Sequence, residues 1–415
     1  MAVEQKINSR LSLRRLMGWS VVGQLVYTIS QFALLTVLAR FASVEDVGRF
    51  GLGSAIIVPI CFFFRLNMRT NQATDLVGEF RFSEFLRVQL LSISVGFILI
   101  VSFAIFLNDP VTKQILLIYG AAKCIETFSE FFYGRFQLSE RLSIVGISLI
   151  FRGAVSTLLF SVVLIETGNI ALSFSAHLLV WGAVALFFDF PQAQRLAQAV
   201  GDTDRCRPGK TYALARGALP LGVNGLLSGL QGQVPRFVIG AFLGVAALGQ
   251  YTVVAYGIQA VTKFVMALGH ALMTRLAQFA QQGNAQAVSR VIRKMLVLSG
   301  AGGAVMIVIA LVFGDWLMLA VFGPSYQDLG LLLTFCMAIA AVRACVLILQ
   351  AALFSLRKFS QAAYVRVIML TILICAVVVG IQLGGLIGVT ISVTIVTSLH
   401  AGVLFILLRH FLNQI

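Results

Sequence analysis

Twelve stretches of roughly twenty apolar residues, each bounded by polar clusters or by Gly and Pro, constrain this chain more than any other feature. They lie near 17–38, 50–68, 87–107, 114–133, 144–165, 170–188, 216–238, 247–270, 295–321, 330–354, 361–381 and 386–408. About twenty such residues let an α-helix cross a hydrocarbon core about 30 Å thick. The stretches are continuously apolar and lack two-residue alternation, so they predict helices and not the strands of an outer-membrane barrel. Composition agrees: 59% of the 415 residues are apolar, 11% are charged, and mean hydropathy is +0.95. A soluble domain carries about a quarter charged residues. So few charges exclude a soluble enzyme, a disordered chain and a secreted disulfide scaffold. The predicted fold class is an all-α polytopic membrane protein with twelve transmembrane helices.

The basic residues test the number of spans independently. With twelve spans and both termini in the cytoplasm, 23 Lys and Arg fall on the cytoplasmic side, 4 on the outer side and 4 within spans. A missed helix would invert every side after it, so this bias supports the count and the orientation. The net charge of +15 is then mostly positive-inside bias facing anionic lipid headgroups, and it implies no nucleic-acid partner. The stretch 7–17 reads as a short amphipathic helix on the inner leaflet.

Nothing in the sequence points to a cofactor or metal. Cys61, Cys124, Cys206, Cys336, Cys345 and Cys375 form no CxxC pair, and His177, His270, His400 and His410 are dispersed. Walker A and GxGxxG sequences are absent, and the loops are too short for an extramembrane catalytic domain. The expectation is a transporter, not an enzyme, with no cofactor.

The longest polar segment, 189–216, suits a flexible cytoplasmic connector and predicts two six-helix lobes: 1–190, a linker at 191–213, and 214–415. An internal echo supports the division. A single offset of 201 matches Phe41 to Phe242, Val44 to Val245, Gly48 to Gly249 and Phe50 to Tyr251, at corresponding hairpins. Parallel repeats of this kind are a transporter plan in which a central site lies between rocking halves. Gly222–Gly232, flanked by Pro220 and Pro235, predicts a bend in the seventh span, with close helix contact as the alternative.

Charges at membrane depth are costly and usually face a cavity or one another. Lys123, Arg152, Lys263 and Arg343 fall within spans, and Arg236 lies one turn inside the end of the seventh. Lys123, Glu126 and Glu130 are spaced i, i+3, i+7 and share a helix face. An interior richer in cations than anions suits an anionic cargo, and Arg suits phosphate oxygens. The alternatives are an intrahelical Lys123–Glu126 pair and a Lys263 that snorkels to the cytoplasmic face. Glu126 and Glu130 are the candidates for ion coupling. The first and seventh spans carry no acid in their apolar cores, which disfavours export of cationic drugs.

Three segments resemble a known family: LARFASVEDVGRFGLGSAIIVPICFFFRLNMRTNQATD (Leu38–Asp75), KCIETFSEFFYGRFQLSER (Lys123–Arg141) and ALPLGVNGLLSGLQGQVPRFVIGAFLGVAALGQY (Ala218–Tyr251). They are similar to the polysaccharide-biosynthesis and O-antigen flippases of the multidrug/oligosaccharidyl-lipid/polysaccharide exporter superfamily. That resemblance implies a MATE-like arrangement of two lobes in the bacterial cytoplasmic (inner) membrane. It also implies carriage of a polyprenyl-diphosphate-linked oligosaccharide for surface or exopolysaccharide synthesis, by alternating access through a cationic central cavity. Membrane lipids, a polysaccharide polymerase and a chain-length regulator are the partners it suggests. Lys123, Arg152, Arg343, Arg236 and Lys263 are the residues that fit the cationic role; relatives often place an acid where this chain has Pro235, before Arg236. The alternatives are a cation-coupled drug antiporter of the same superfamily and a membrane glycan polymerase.

The twelve-span orientation is checked with reporter fusions. A cytoplasmic reporter joined after residue 415 or inserted at 203–205 should be active, and a periplasmic reporter inserted at 108–109 should be active. Reversal of either result would overturn the orientation.

Overall fold

The computed structural model describes the backbone of residues 2–75, 78–199, 201–202, 207–281, 285–356 and 358–412. It describes their side chains except at 2–17, 208, 260, 263–278, 280–281, 285 and 359. The described residues form helices: α1 (Ala2–Phe41), α2 (Val44–Phe64), α3 (Phe82–Ile105), α4 (Pro110–Leu138), α5 (Leu142–Thr167), α6 (Ile170–Ala199), α7 (Pro208–Phe242), α8 (Gly244–Gln281), α9 (Ala285–Phe322), α10 (Gly330–Ser355), α11 (359–383) and α12 (386–412). A short helix, Met68–Thr74, follows α2, and a 3₁₀ turn, Pro324–Leu329, precedes α10. The fold class is as expected: all-helical, with a twelve-helix order. The stretch 7–17 is not a separate surface helix; its backbone continues without a break into α1.

Local chemistry sets the helix ends. Asp109 accepts the Thr112 amide at 3.1 Å, with Pro110 as the first residue of α4. Gly168, left-handed at φ 63°, ends α5, and Asn169 then caps α6 through the Leu172 amide at 3.0 Å. The helical run 359–412 would be roughly 80 Å long if straight, far more than one crossing. It breaks at Gly384 (φ −153°) and Gly385 (φ 55°). Across the break Gly380 and Gly388 face each other so closely that a Cβ on either would overlap the other's backbone. Large apolar side chains remain exposed along the helices, among them Leu158, Leu179, Leu311 and Ile406, as expected of surfaces solvated by lipid.

The chain divides into two compact units. The first comprises 1–42 and 53–229, the second 43–52 and 230–415. The division thus falls inside α7, and the opening turns of α2 belong with the second unit. The connector expected at 191–213 is tied down on both flanks to the first unit. Ala193 and Ala197 are buried, Arg135 pairs with Asp202 at 3.2 Å, and the Phe82 amide donates to Asp202. Arg207 pairs with the fully buried carboxylate of Glu84 at 2.7 Å, and Lys210 with Glu79 at 3.0 Å. These ion pairs hold both flanks of the expected connector to the first unit; residues 200 and 203–206 between them lie outside the described residues.

Within the second unit the internal repeat becomes a physical contact. A Cβ on Gly48 would overlap the Val245 carbonyl, and a Cβ on Gly249 would overlap the Val44 carbonyl. The offset of 201 carries Gly48 to Gly249 and Val44 to Val245, so it exchanges the two contacts and they are reciprocal. Gly51 meets Thr252, its own partner under that offset, where the two related helices cross. Glycine here permits an approach at which no side chain fits. The glycines of α7 act in the same way inside the first unit: Gly222 lies against Phe63, Gly225 against Phe62 and Gly229 against Pro59. The expected bend at Gly222–Gly232 does not interrupt the helix, which runs unbroken from Pro208 to Phe242.

Gly48→Val should therefore destabilise the protein by about 1–3 kcal/mol through overpacking. Gly53→Ala, whose added Cβ would find its nearest neighbour at 3.8 Å, should be tolerated. Thermal unfolding of the two purified variants in detergent checks the contrast.

Candidate functional site

In the first unit the polar side chains converge on one carboxylate. Glu126 receives the ammonium of Lys123 at 2.6 Å, the hydroxyl of Tyr27, and a guanidinium nitrogen of Arg152 at 3.7 Å. Arg152 is 1% exposed and donates to the Tyr133 hydroxyl at 3.2 Å; Tyr133 in turn shares a hydrogen bond of 2.8 Å with Ser148. Aromatic faces complete the enclosure. The Arg152 guanidinium lies 4.6 Å from the Trp181 ring centre and 5.8 Å from that of Tyr27, and the Lys123 ammonium lies 5.3 Å from both Tyr119 and Trp181. Glu130, one helical turn beyond Glu126, pairs separately with Arg65 at 2.9 Å.

Two π-helical turns shape this region, Phe151–Val155 in α5 and Val184–Asp189 in α6. Such turns disturb the backbone ladder and recur at functional sites. The Arg152 carbonyl accepts from the Trp181 indole at 3.1 Å and from the Ser156 hydroxyl, so the π turn is pinned by the side chains around it. Asp189 closes the second π turn. It is fully buried, sits beside Ser129 and Ser148 in the field of Arg152, and neither carboxylate oxygen has a hydrogen-bond partner.

The second unit is built on the opposite principle. Arg236 on α7 is 3% exposed and donates to Gln233 at 2.6 Å. Arg343 lies midway along α10, its guanidinium 3.7 Å from the place a Cβ on Gly232 would occupy. Arg366 on α11 is 8% exposed and donates to Gln350 at 3.2 Å. His400 on α12 is buried; its Nδ1 lies 3.4 Å from the Gln231 amide, and its Nε2 has no partner. The acids of this unit are Glu45, Asp46, Asp315 and Asp328, all near helix ends. Asp46 pairs with Arg49 at 2.7 Å, and Asp315 accepts the Gly330 amide at 2.8 Å. Among the described residues, Arg343 therefore has no acidic partner.

The residues singled out from the sequence thus fall into two groups. Lys123, Arg152, Glu126 and Glu130 meet in the first unit, and the intrahelical Lys123–Glu126 pair is formed. Arg236, held by Gln233, and Arg343, beside Gly232, lie in the second, without acids among the described residues. The Lys263 side chain lies outside the described residues. Two residues given to the cytoplasmic side are buried instead: Arg366 against Gln350, and Asp189 inside the first unit. Tyr27, Tyr133, His400 and Gln350 were not anticipated, because isolated polar residues in apolar stretches carry no spacing signal. Among the described residues, no group of three His, Cys, Asp or Glu side chains is arranged to hold a metal.

No family model matches the chain. It is 21% identical over 320 residues to the "Capsular polysaccharide biosynthesis protein CapF" of Staphylococcus aureus, covering 76% of this chain and 79% of that one. Among solved structures, the inward-facing form of a MATE family multidrug transporter of the MOP superfamily superposes with a TM-score of 0.75 at 13% identity, covering 95% of this chain and 98% of that one. A MOP superfamily transporter from Pyrococcus furiosus, described as having a binding pocket of reverse polarity, gives 0.64 at 13% identity, covering 97% and 95%. The chain has the MATE fold of multi-pass membrane transporters.

Glu126→Gln should destabilise the first unit by about 3–5 kcal/mol, because it strands the buried Arg152 and the half-buried Lys123. Adding Lys123→Met should recover part of the loss by removing one of them. Denaturant unfolding of the single and double variants checks both directions.

Proposed function

We propose that this protein is a flippase, not an enzyme. Its cargo on this reading is a polyprenyl-diphosphate-linked oligosaccharide, moved across the bacterial inner membrane for surface or exopolysaccharide synthesis. The observation that carries the proposal is that Arg236 and Arg343 of the second unit meet no carboxylate among the described residues. A cation at the centre of a bilayer costs about 2.5–3.5 kcal/mol on insertion scales. The first unit offsets that cost with its own carboxylates; the second places Arg236 and Arg343 along its helices with no carboxylate beside them among the described residues. An anionic cargo supplies the missing counter-charge, and the bidentate geometry of guanidinium suits diphosphate oxygens.

Three arginines sit at successive depths. By helical rise, Arg236 lies roughly 9 Å from the end of α7, Arg343 roughly 20 Å into α10, and Arg366 roughly 10 Å into α11 from the opposite face. A diphosphate could pass from one to the next while its lipid tail stays in the bilayer. Alternating access fits a fold built from repeated halves and keeps the path from becoming a leak. The similarity to a capsular polysaccharide biosynthesis protein of Staphylococcus aureus supports a glycan over a drug as cargo. A polymerase and a chain-length regulator would be the partners acting on the exported product.

In proteoliposomes carrying a fluorescent polyprenyl-diphosphate oligosaccharide, Arg343→Ala should slow translocation at least tenfold, while Arg343→Lys should retain a larger share. Equal rates for Arg343→Ala and wild type would remove the site assignment. Movement of cationic drugs without movement of the lipid-linked glycan would replace the proposal with the antiporter reading.

A further inference from the structure

We infer that Asp189 is a proton-exchange site, set at one end of a buried polar chain that runs through the first unit to Glu126. The assignment concerns the proton alone and stands whether or not the cargo is a lipid-linked glycan.

The carboxylate is fully buried, yet neither oxygen is hydrogen-bonded, and the Ser129 hydroxyl beside it is also without a partner. Glu84 and Glu126, the other buried acids among the described residues, are each held by a cation within 2.7 Å. Asp189 has no such ion pair. A buried carboxylate in this state is expensive when ionised unless something neutralises it. The charged and titratable groups facing it are Arg152 from α5 and Tyr133 from α4; Ser129 and Ser148 contribute hydroxyls, and His177 lies about three turns earlier on α6, against Trp181.

Arg152 is not bonded to Asp189. It donates to Tyr133 at 3.2 Å and holds Glu126 only at 3.7 Å, and its Nε and Nη2 make no hydrogen bond. Asp189 thus has a guanidinium and two hydroxyls near it but neither an ion pair nor a hydrogen bond that would hold it ionised. A metal cation is disfavoured, because the guanidinium repels it and few oxygens stand ready to coordinate it. A proton needs neither space nor a ligand shell. Binding forms one O–H bond on the carboxylate, with the proton drawn from water and returned to it.

The effect need not remain local. Ser148 links the Asp189 neighbourhood to Tyr133 at 2.8 Å, Tyr133 to Arg152, and Arg152 to Glu126. With Asp189 ionised, Lys123, Arg152 and Arg65 are matched by Glu126, Glu130 and Asp189. Protonation leaves the interior with one surplus positive charge, so the proton and any anion that feels this interior are thermodynamically linked. The two π turns carry the two ends of that exchange, Arg152 and Asp189.

The test is infrared difference spectroscopy on the full-length protein in lipid, with aspartate carboxyls labelled by carbon-13 and no cargo present. Asp189 is the one buried aspartate among the described residues, so an Asp carboxylic-acid band that is slow to exchange in heavy water should appear on acidification. That band should be lost in Asp189→Asn and unchanged in Glu166→Gln. Acidification should also cost the Asp189→Asn protein one proton of uptake relative to wild type, read with a pH-indicator dye. Absence of the band in folded wild-type protein would overturn the inference, and so would its persistence in Asp189→Asn. Because wild type supplies the first readout, misfolding of the variant leaves the inference testable.

Discussion

The transfer of charge out of water governs this structure. An ionic group at membrane depth must find an opposite charge, a dense set of hydrogen bonds or a ligand, since the surrounding hydrocarbon offers none of these. The first unit solves the problem internally. Glu126 gathers Lys123, Arg152 and Tyr27, while Trp181 and Tyr119 wall off the remainder with aromatic faces that themselves attract cations. The second unit leaves it open at Arg236, which Gln233 holds in place without cancelling its charge. The membrane-depth cations Lys123 and Arg152 of the first unit face a carboxylate, whereas Arg236 and Arg343 of the second face none among the described residues. That difference is the strongest pointer to an anionic passenger.

Close backbone approach is the second organising constraint. Between apolar helices in lipid there is little hydrophobic drive, so contact depends on van der Waals fit and on small residues. Glycine supplies that fit at Gly48 and Gly249, where each repeat presses on the other's carbonyl, and at Gly222, Gly225 and Gly229 along α2. These contacts explain why the compact units exchange segments: the first turns of α2 pack with α8, and the first half of α7 packs with the remainder of α2. A six-plus-six division drawn at the longest loop does not capture that exchange.

Much of the site could be read one residue at a time, but its pairing could not. Lys123, Glu126 and Glu130 share a face by helical spacing alone, and their membrane depth follows from the span boundaries. The partner of Glu130 is Arg65, at the far end of a different helix, and no periodicity links the two. Arg366 and Asp189 both sit at the edges of apolar stretches, where sequence assigns a charged residue to water. Neighbouring helices bury both of them, because a helix end continues past the point where its own apolar run stops.

The sequence by itself determined the solvent, the apolar spans and the echo between the halves, because each is a one-dimensional pattern of apolar length or fixed offset. Tertiary structure alone decided which cations are neutralised, where the glycines press helices together, and which acid is buried without a partner. These depend on side chains from helices distant in sequence meeting at distances of a few ångströms, and electrostatic energy inside a low-dielectric medium is set by those distances.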